Sequence, residues 1–450
     1  MKHKSGSFIL FLSKATLIFV ILALCFAGLR YFYEESIFYF WGNNILLALY
    51  AAILYLSNRV YNGFNFGNVS LQEIVLSWIL SLIVTNAFQY FILSLFEEKM
   101  LSVVGVLIIL GVQLLFVIPM VIVINIIYNL LNPAHDSVII YGNKEKLNEF
   151  LRITAKHGER FKVNHVISQN ESLNNILNLI NASKSVFFLN VNENKQEGLL
   201  EYCYLNDKHV FVLPSFSRIL INTASTIWVS HTPIFSLKTP IPDMSTLLVK
   251  RLIDIIVSLI VLILTGWLMI GIWFAVRLYD NHPAIYRQTR VTKDGKLFTL
   301  LKFRSMRPNA EDDGVPRLTA VDDDRVTPFG RFIRKSRLDE LPQVFNVLSG
   351  AMSIVGPRPE RPEIAAQYEK KYPNFAFRTK VKAGITGFAQ IYGRYNTAPE
   401  EKLFLDIMYI ETFSIIGDLK LMLQTINVLF LPTSTEGIEN DSITALREKK

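Results

Sequence analysis

Arg331-Phe332-Ile333-Arg334-Lys335-Ser336-Arg337-Leu338-Asp339-Glu340-Leu341-Pro342-Gln343 sets two adjacent carboxylates directly behind four cations. Val355-Gly356-Pro357-Arg358-Pro359 follows, with one arginine pinned between two prolines. Handling a pyrophosphate requires such parts: guanidinium forks for phosphate oxygens, a carboxylate for a metal ion, and a carboxylate acting as nucleophile or base. Taken alone, Asp339-Glu340 reads more simply as the solvated face of a basic helix. The blocks on either side shift that balance.

Upstream lie Lys302-Phe303-Arg304-Ser305-Met306 and Asp324-Arg325-Val326-Thr327-Pro328-Phe329-Gly330. Downstream lie Lys382-Ala383-Gly384-Ile385-Thr386-Gly387-Phe388-Ala389-Gln390 and Asp406-Ile407-Met408-Tyr409-Ile410. In this order the blocks resemble the bacterial sugar transferase family, the polyprenyl-phosphate hexose-1-phosphate transferases, over roughly residues 248–430. The resemblance implies a phosphoglycosyl transferase that moves a hexose 1-phosphate from a UDP-sugar to undecaprenyl phosphate. UMP would leave, and the lipid-linked product would start capsule, exopolysaccharide or O-antigen assembly.

The bulk composition fits a membrane setting. Of 450 residues, 51% are hydrophobic and 19% charged, and the net charge is +8. That balance lies outside the soluble range. The positive charge fits cytoplasmic loops and contact with anionic lipid better than nucleic acid, for which no binding signature is present. Cys25 and Cys203 form neither a CxxC nor a metal-ligand spacing.

Four apolar runs, near 15–33, 37–57, 74–96 and 101–131, approach or exceed the ~20 residues a spanning helix needs. No small-residue cleavage site follows the first run, so it reads as a helix rather than a signal peptide. Lys2, Lys4 and Lys14 precede the first helix, Arg59 follows the second, and Lys144 and Lys146 follow the fourth. The loops carrying Glu34 and Glu35, and Glu97 and Glu98, are acidic. Both ends of the unit, residues 1–132, are therefore expected to face the cytoplasm.

Residues 133–235 read as a small Rossmann-like α/β domain. Strands are expected at 137–141, 161–163, 185–189 and 209–213, with helical stretches between them. Only Gly142 stands where a G-x-G-x-x-G fingerprint would be, so a structural or regulatory module is expected rather than a dinucleotide site. Residues 236–450 form the expected α+β catalytic domain. A homo-oligomer held through the helices or the α/β domain is compatible with this organisation.

A fifth apolar run spans Leu252 to Leu278. Hydropathy alone favours a spanning helix. However, Lys250 and Arg251 flank its start, and Arg277, Arg287 and Arg290 its end, so both ends look cytoplasmic. In the resembling family this segment is a re-entrant hairpin, here about 250–279. The family's usual mid-segment proline is replaced by Thr265-Gly266, the expected turn. Asp254 and Ser258 would sit near the headgroups. The chain is thus read as a multi-pass protein of the bacterial inner membrane with its catalytic domain in the cytoplasm.

Within the catalytic domain, Asp339 is the candidate nucleophile and Glu340 the candidate Mg²⁺ ligand, with Asp339 sharing the metal; on a helix the two would point about 100° apart and could not act as a dyad. The resemblance implies an active-site role for Arg334. It also associates Pro357, Arg358 and Pro359 with the nucleotide sugar, and makes Lys302, Arg304, Arg325 and Gln390 candidate substrate contacts. Tyr286–Val291 and Gly295–Phe298 read as a strand pair at the membrane surface, and the stretch from Leu403 to Phe430 as amphipathic. Two other readings remain open. One is a conventional glycosyltransferase that releases UDP; the other is a non-catalytic membrane scaffold, which would leave the clustered charges unexplained.

Overall fold

A computed structural model describes residues 2–33, 42–67, 69–155, 161–237, 242–307, 323–393 and 399–429. The acidic loop at Glu34 and Glu35, the first residues of the second apolar run and the polar tail from Thr433 lie outside the described residues. Contacts divide the chain into two units, residues 1–215 and 216–450.

The N-terminal unit opens with four helices: α1 (Lys2–Phe32), α2 (Gly42–Val60), α3 (Leu71–Phe96) and α4 (Val103–Leu131). Ser70 caps α3 by accepting from the Glu73 amide at 3.3 Å, the first half of a capping box. Leu17, Ile21, Tyr50, Leu54, Ile74, Trp78, Val117 and Val121 form their shared core. A buried polar chain crosses this core: Asn86 Nδ2 donates to Gln113 Oε1 (2.8 Å), and Gln113 Nε2 donates to the Tyr50 hydroxyl (3.0 Å). Such bonds between apolar helices fix their register. Among the described residues, four helical segments are long and apolar enough to cross a membrane: Phe8–Phe32, Leu71–Phe96, Val103–Leu131 and Met244–Tyr279. The shorter α2 is not one of them.

The strands expected after the helices form one parallel sheet, order β2-β1-β3-β4, from β1 (His135–Tyr141), β2 (Phe161–Ser168), β3 (Ser185–Leu189) and β4 (His209–Val212). Helices α5 (Lys144–Ala155), α6 (Leu173–Ala182) and α7 (Glu193–Leu205) connect them. Val138, Ile140, Val186 and Phe188 pack on one face, and Ile139, Phe187 and Leu189 on the other. A parallel sheet covered on both sides needs such continuous apolar runs. Gly142 ends β1 where a Cβ would stand 2.1 Å from the Asn190 carbonyl oxygen. It is a close-packing glycine. Gln169 Oε1 accepts from the Asn192 amide (2.8 Å) at the same sheet edge.

The second unit begins at Phe216 with α8 (Phe216–Asn222), whose Ile219 packs with Ile364, Tyr368, Phe375, Leu403 and Ile407. A hairpin of β5 (Ser225–Val229) and β6 (Thr232–Ser236) follows.

Helix α9 (Met244–Asp280) is a single 37-residue helix. The expected turn at Thr265-Gly266 is not seen, because the Thr265 hydroxyl donates back to the Val261 carbonyl at 2.7 Å and the ladder continues. A helical glycine costs about 1 kcal/mol where a proline would cost about 3. Asp254 and Ser258, expected near the headgroups, are instead buried against the unit. Asp254 accepts from Ser353 Oγ (3.1 Å) and the Ile354 amide (3.0 Å). The N-terminal turns of α9 meet the unit through Lys250, which donates to the Val355 carbonyl (3.1 Å) and pairs with Asp418. Met269, Ile272 and Val276 pack with Phe303 and Ile333 farther along. Both halves of the helix thus touch the same unit, while Ile263, Trp267, Ile270 and Phe274 are exposed.

The expected strand pair is β7 (Ile285–Val291) with β8 (Leu297–Phe303), antiparallel. Next come α10 (Pro328–Lys335), a 3₁₀ turn (Leu338–Glu340), α11 (Gln343–Leu348) and β9 (Ser353–Val355). Then follow α12 (Pro362–Lys371), a 3₁₀ segment (Pro373–Lys380) and β10 (Gly384–Thr386), which pairs in parallel with β9. The short α13 (Phe388–Ile391) leads to α14 (Pro399–Glu411) and α15 (Ile415–Leu429), so the amphipathic stretch is two helices.

Candidate active site

Thr327 caps α10 by accepting from the Gly330 amide (2.9 Å), with Pro328 starting the helix. The helix lasts eight residues, and Arg337 then turns left-handed at φ 57°. That reversal throws Leu338-Asp339-Glu340 into a 3₁₀ turn instead of the expected α-helical face. Asp339 is 8% exposed, and neither of its oxygens accepts a hydrogen bond from a described residue.

The two carboxylates have opposite electrostatic surroundings. Burial, followed by the neighbouring Glu340 charge, pushes Asp339 up to about 6 against the pull of Lys302, Arg334 and Arg358. Burial also works against the Glu340 anion, but Arg358, Lys302 and Arg337 outweigh it and hold this carboxyl well below its ordinary range. Glu340 Oε1 accepts from Lys302 Nζ (2.9 Å) and from Arg358 Nη2 (2.9 Å). Burial, with Arg358 adding to it, pulls the Lys302 ammonium down. Adjacent carboxylates with such different surroundings suit two different tasks.

Arg358 is aimed from behind. Its carbonyl accepts from Arg378 Nη2 (2.8 Å), and the buried Arg378 pairs with Asp406 (2.7 Å) and Glu360 (3.5 Å). Arg290 Nη1 donates to the Pro359 carbonyl (3.0 Å). Arg378 was not singled out in the sequence, and Arg290 only as a cation flanking the fifth apolar run. Asp406 was the only visible signal, since an acid in an apolar helical stretch demands a buried cation. Burial, then Glu360, pushes Asp406 up to about 6 despite Arg378.

The structure brings together Asp339, Glu340, Lys302, Arg334 and Arg358. Other expected contacts are placed differently. Arg304 donates to the His282 carbonyl (3.4 Å) and lines a small cleft with Tyr279 and Thr327. Arg325 holds Asp323 through Nε (2.8 Å) and Nη2 (2.6 Å). The side-chain amide of Gln390 is buried beside Gly387 without a hydrogen-bond partner among the described residues. A cavity of about 420 Å³ opens on the Arg358 side, lined by Pro357, Pro359, Glu360, Ala366, Phe375 and Thr379 among others. That is the size of a small-molecule site.

Among the described residues no cluster of three or more His, Cys, Asp or Glu is poised for a metal ion. Mg²⁺ does not need one, because it binds through one or two carboxylates with substrate phosphates and water. Glu340, with one oxygen engaged by both cations, and Asp339, to which no described residue donates, are the carboxylates that could hold such a partly hydrated ion.

Comparison with known proteins matches residues 245–432 to the family described as Bacterial sugar transferase. The chain is 45% identical over 182 residues to the UDP-glucose:undecaprenyl-phosphate glucose-1-phosphate transferase of Klebsiella pneumoniae, covering 39% of each chain. It is 34% identical over 238 residues to the undecaprenyl-phosphate galactose phosphotransferase of Salmonella typhimurium, covering 49% of each. The matched region therefore spans two fifths to half the length of these two relatives. To the uncharacterized sugar transferase EpsL of Bacillus subtilis it is 38% identical over 202 residues, which is 45% of this chain and 96% of that one.

Proposed function

This chain belongs to the bacterial sugar transferase family, and from that premise we propose that it transfers a sugar 1-phosphate from a UDP-sugar to undecaprenyl phosphate with release of UMP. The observation that carries the reading is the division of labour in the carboxylate pair: Glu340 is clamped by Lys302 and Arg358, while no described residue donates a hydrogen bond to Asp339. Asp339 attacks the sugar-bearing β-phosphorus of the UDP-sugar. An aspartyl–phosphosugar bond forms, the bond from that phosphorus to the bridging oxygen breaks, and UMP carries the electron pair away. The phosphate of undecaprenyl phosphate then attacks the same phosphorus and frees Asp339.

A carboxylate is a weak nucleophile, competent only if the electrophile's charge is offset and attack is in line. Lys302, Arg334 and Arg358 supply the cations. Mg²⁺, held by Glu340 with Asp339 near, would neutralise pyrophosphate charge when bound. The cavity beyond Arg358 seats the nucleoside. Glucose and galactose derivatives head the sugars to test, given the relatives' names.

The membrane arrangement belongs to the same reading. With both halves packed on its own unit and its apolar side exposed, α9 is read as a helix held at the cytoplasmic surface of the inner membrane, so that both of its ends stay on the cytoplasmic side. With the native cysteines replaced, single cysteines at Ser245 and Asn281 resist an impermeant thiol reagent in intact cells and react in inverted vesicles. Labelling of Asn281 from outside would mean a spanning helix.

Asp339 must be ionised to attack. The rate is expected to rise with pH along a limb of apparent pKa near 6. In Glu340→Gln the limb moves to lower pH, because the neighbouring anion that raises Asp339 is gone; a pH–rate profile reads both. For stability the sign is opposite. A carboxyl raised in the folded state contributes stability at low pH that is lost as pH climbs from about 4 to about 6.

The intermediate is tested by intact mass. With UDP-sugar and no acceptor, the protein gains one sugar phosphate, mapped to Asp339. A chain that turns over without ever carrying that mass would overturn the two-step reading.

A further inference from the structure

Three loops meet at one buried hydroxyl beside the N-terminal turns of α9. Thr292 Oγ1 donates to the Ala351 carbonyl (3.0 Å) and accepts from the Ala383 amide (3.1 Å). This bridge gathers Lys293, Gly350 and Lys382, each next in sequence to one of the bonded residues. Arg251 arrives from α9, donating to the Val347 and Leu348 carbonyls (2.6 and 2.7 Å) at the end of α11.

Gly350 turns at φ +85°, a conformation that selects glycine. The point where its Cβ would stand is 3.6 Å from Arg251 Nη2 and 3.8 Å from Lys382 Nζ. Two cationic heads thus converge on one point. Burial lowers the affinity of Lys382 for its proton, and Arg251, Lys293 and Lys250 lower it further while Asp254 opposes them.

The nearby acids are already engaged. Asp254 accepts from Ser353 and the Ile354 amide, and Asp418 pairs with Lys250. Among the described residues, Arg251, Lys293 and Lys382 have no ion pair. Half-buried like charges held together without an anion are unfavourable, and a bound anion relieves them. Next to Arg251 on α9, Leu248, Val249 and Leu252 are exposed and apolar. The cluster therefore stands where a lipid-facing helix surface begins. The principal charges acting on Asp339 and Glu340 come from other cations: Lys302, Arg334, Arg337 and Arg358.

We propose that Arg251, Lys293 and Lys382 form a second phosphate site, apart from the carboxylate pair, that takes the headgroup of an anionic membrane lipid. The ligand chemistry is a phosphate ester. The adjoining apolar surface selects one attached to acyl chains over a free ion.

The test uses the full chain purified in detergent and titrated with dioctanoyl phosphatidylglycerol, with adducts counted by native mass spectrometry. Inorganic phosphate and zwitterionic dioctanoyl phosphatidylcholine are run as separate arms. A basic side chain near an anionic headgroup contributes about 1 kcal/mol, so Lys293→Gln with Lys382→Gln is expected to weaken phosphatidylglycerol binding about thirtyfold. Lys382→Arg keeps it. If the double variant fails to fold, Lys293→Gln alone, on an open turn, is expected to cost about fivefold. Unchanged phosphatidylglycerol affinity in the folded variants would overturn the proposal. So would inorganic phosphate binding and competing as strongly as the lipid, which would make this a free-phosphate site. The readout is binding alone, so it stands or falls separately from the transferase reaction.

Discussion

Asp339→Asn is expected to abolish sugar-phosphate transfer, lowering UMP release by at least about a thousandfold, the scale on which removal of a nucleophile is felt. The substitution keeps the size of the side chain in a site only 8% exposed, so the turn from Leu338 to Glu340 should hold. An amide cannot form the acyl-phosphate bond, and the mass adduct disappears with the activity. Because burial and Glu340 both disfavour the Asp339 anion, the melting temperature should stay level or rise. Loss of activity in a protein that melts no lower separates chemistry from folding. Substantial residual UMP release would mean that the nucleophile lies elsewhere.

Arg378→Met is expected to act through structure instead. Arg378 neutralises Asp406 and Glu360 and holds the Arg358 carbonyl. Removing one partner of a buried ion pair costs about 3–5 kcal/mol, because the other charge is left uncompensated. Asp406, already pushed up to about 6, would then take a proton to stay buried. Thermal unfolding should show the loss. A second change, Asp406→Asn in the Arg378→Met background, should recover part of it by removing the stranded acid, and a double-mutant cycle measures the coupling. Where the protein still folds, the KM for the UDP-sugar should rise, since Arg358 loses the contact that aims it.

The apolar runs and the α/β alternation were legible because they rest on local patterns. Val138 to Ile140 and Val186 to Phe188 are β-branched or aromatic runs bounded by polar turns, and they became the buried strands of one parallel sheet. The glycine count at Gly142 excluded a dinucleotide fingerprint, and the close Asn190 carbonyl gives that glycine a packing role. Non-local features were not legible. Nothing near Ile219 in the chain announces that it packs against Ile364 and Ile407. Thr265-Gly266 looked like a break, but a threonine can return its hydroxyl to the preceding turn, and the helix persisted.

The site divides in the same way. Asp339, Glu340 and Arg358 could be named from type and order, and Lys302 was expected near them. The sequence did not indicate that Lys302 and Arg358 would both settle on one oxygen of Glu340. Arg325, expected at the substrate from its position among the blocks, is held in a fork by Asp323, two residues away, a contact the sequence did not indicate.

The most direct measurement is the identity of the nucleotide released when membranes bearing this protein receive undecaprenyl phosphate and a panel of UDP-sugars. Transfer of a sugar 1-phosphate cleaves the pyrophosphate and leaves UMP, matched one to one by a lipid-linked diphosphosugar. UDP as the released nucleotide, with the sugar alone transferred, would contradict the account.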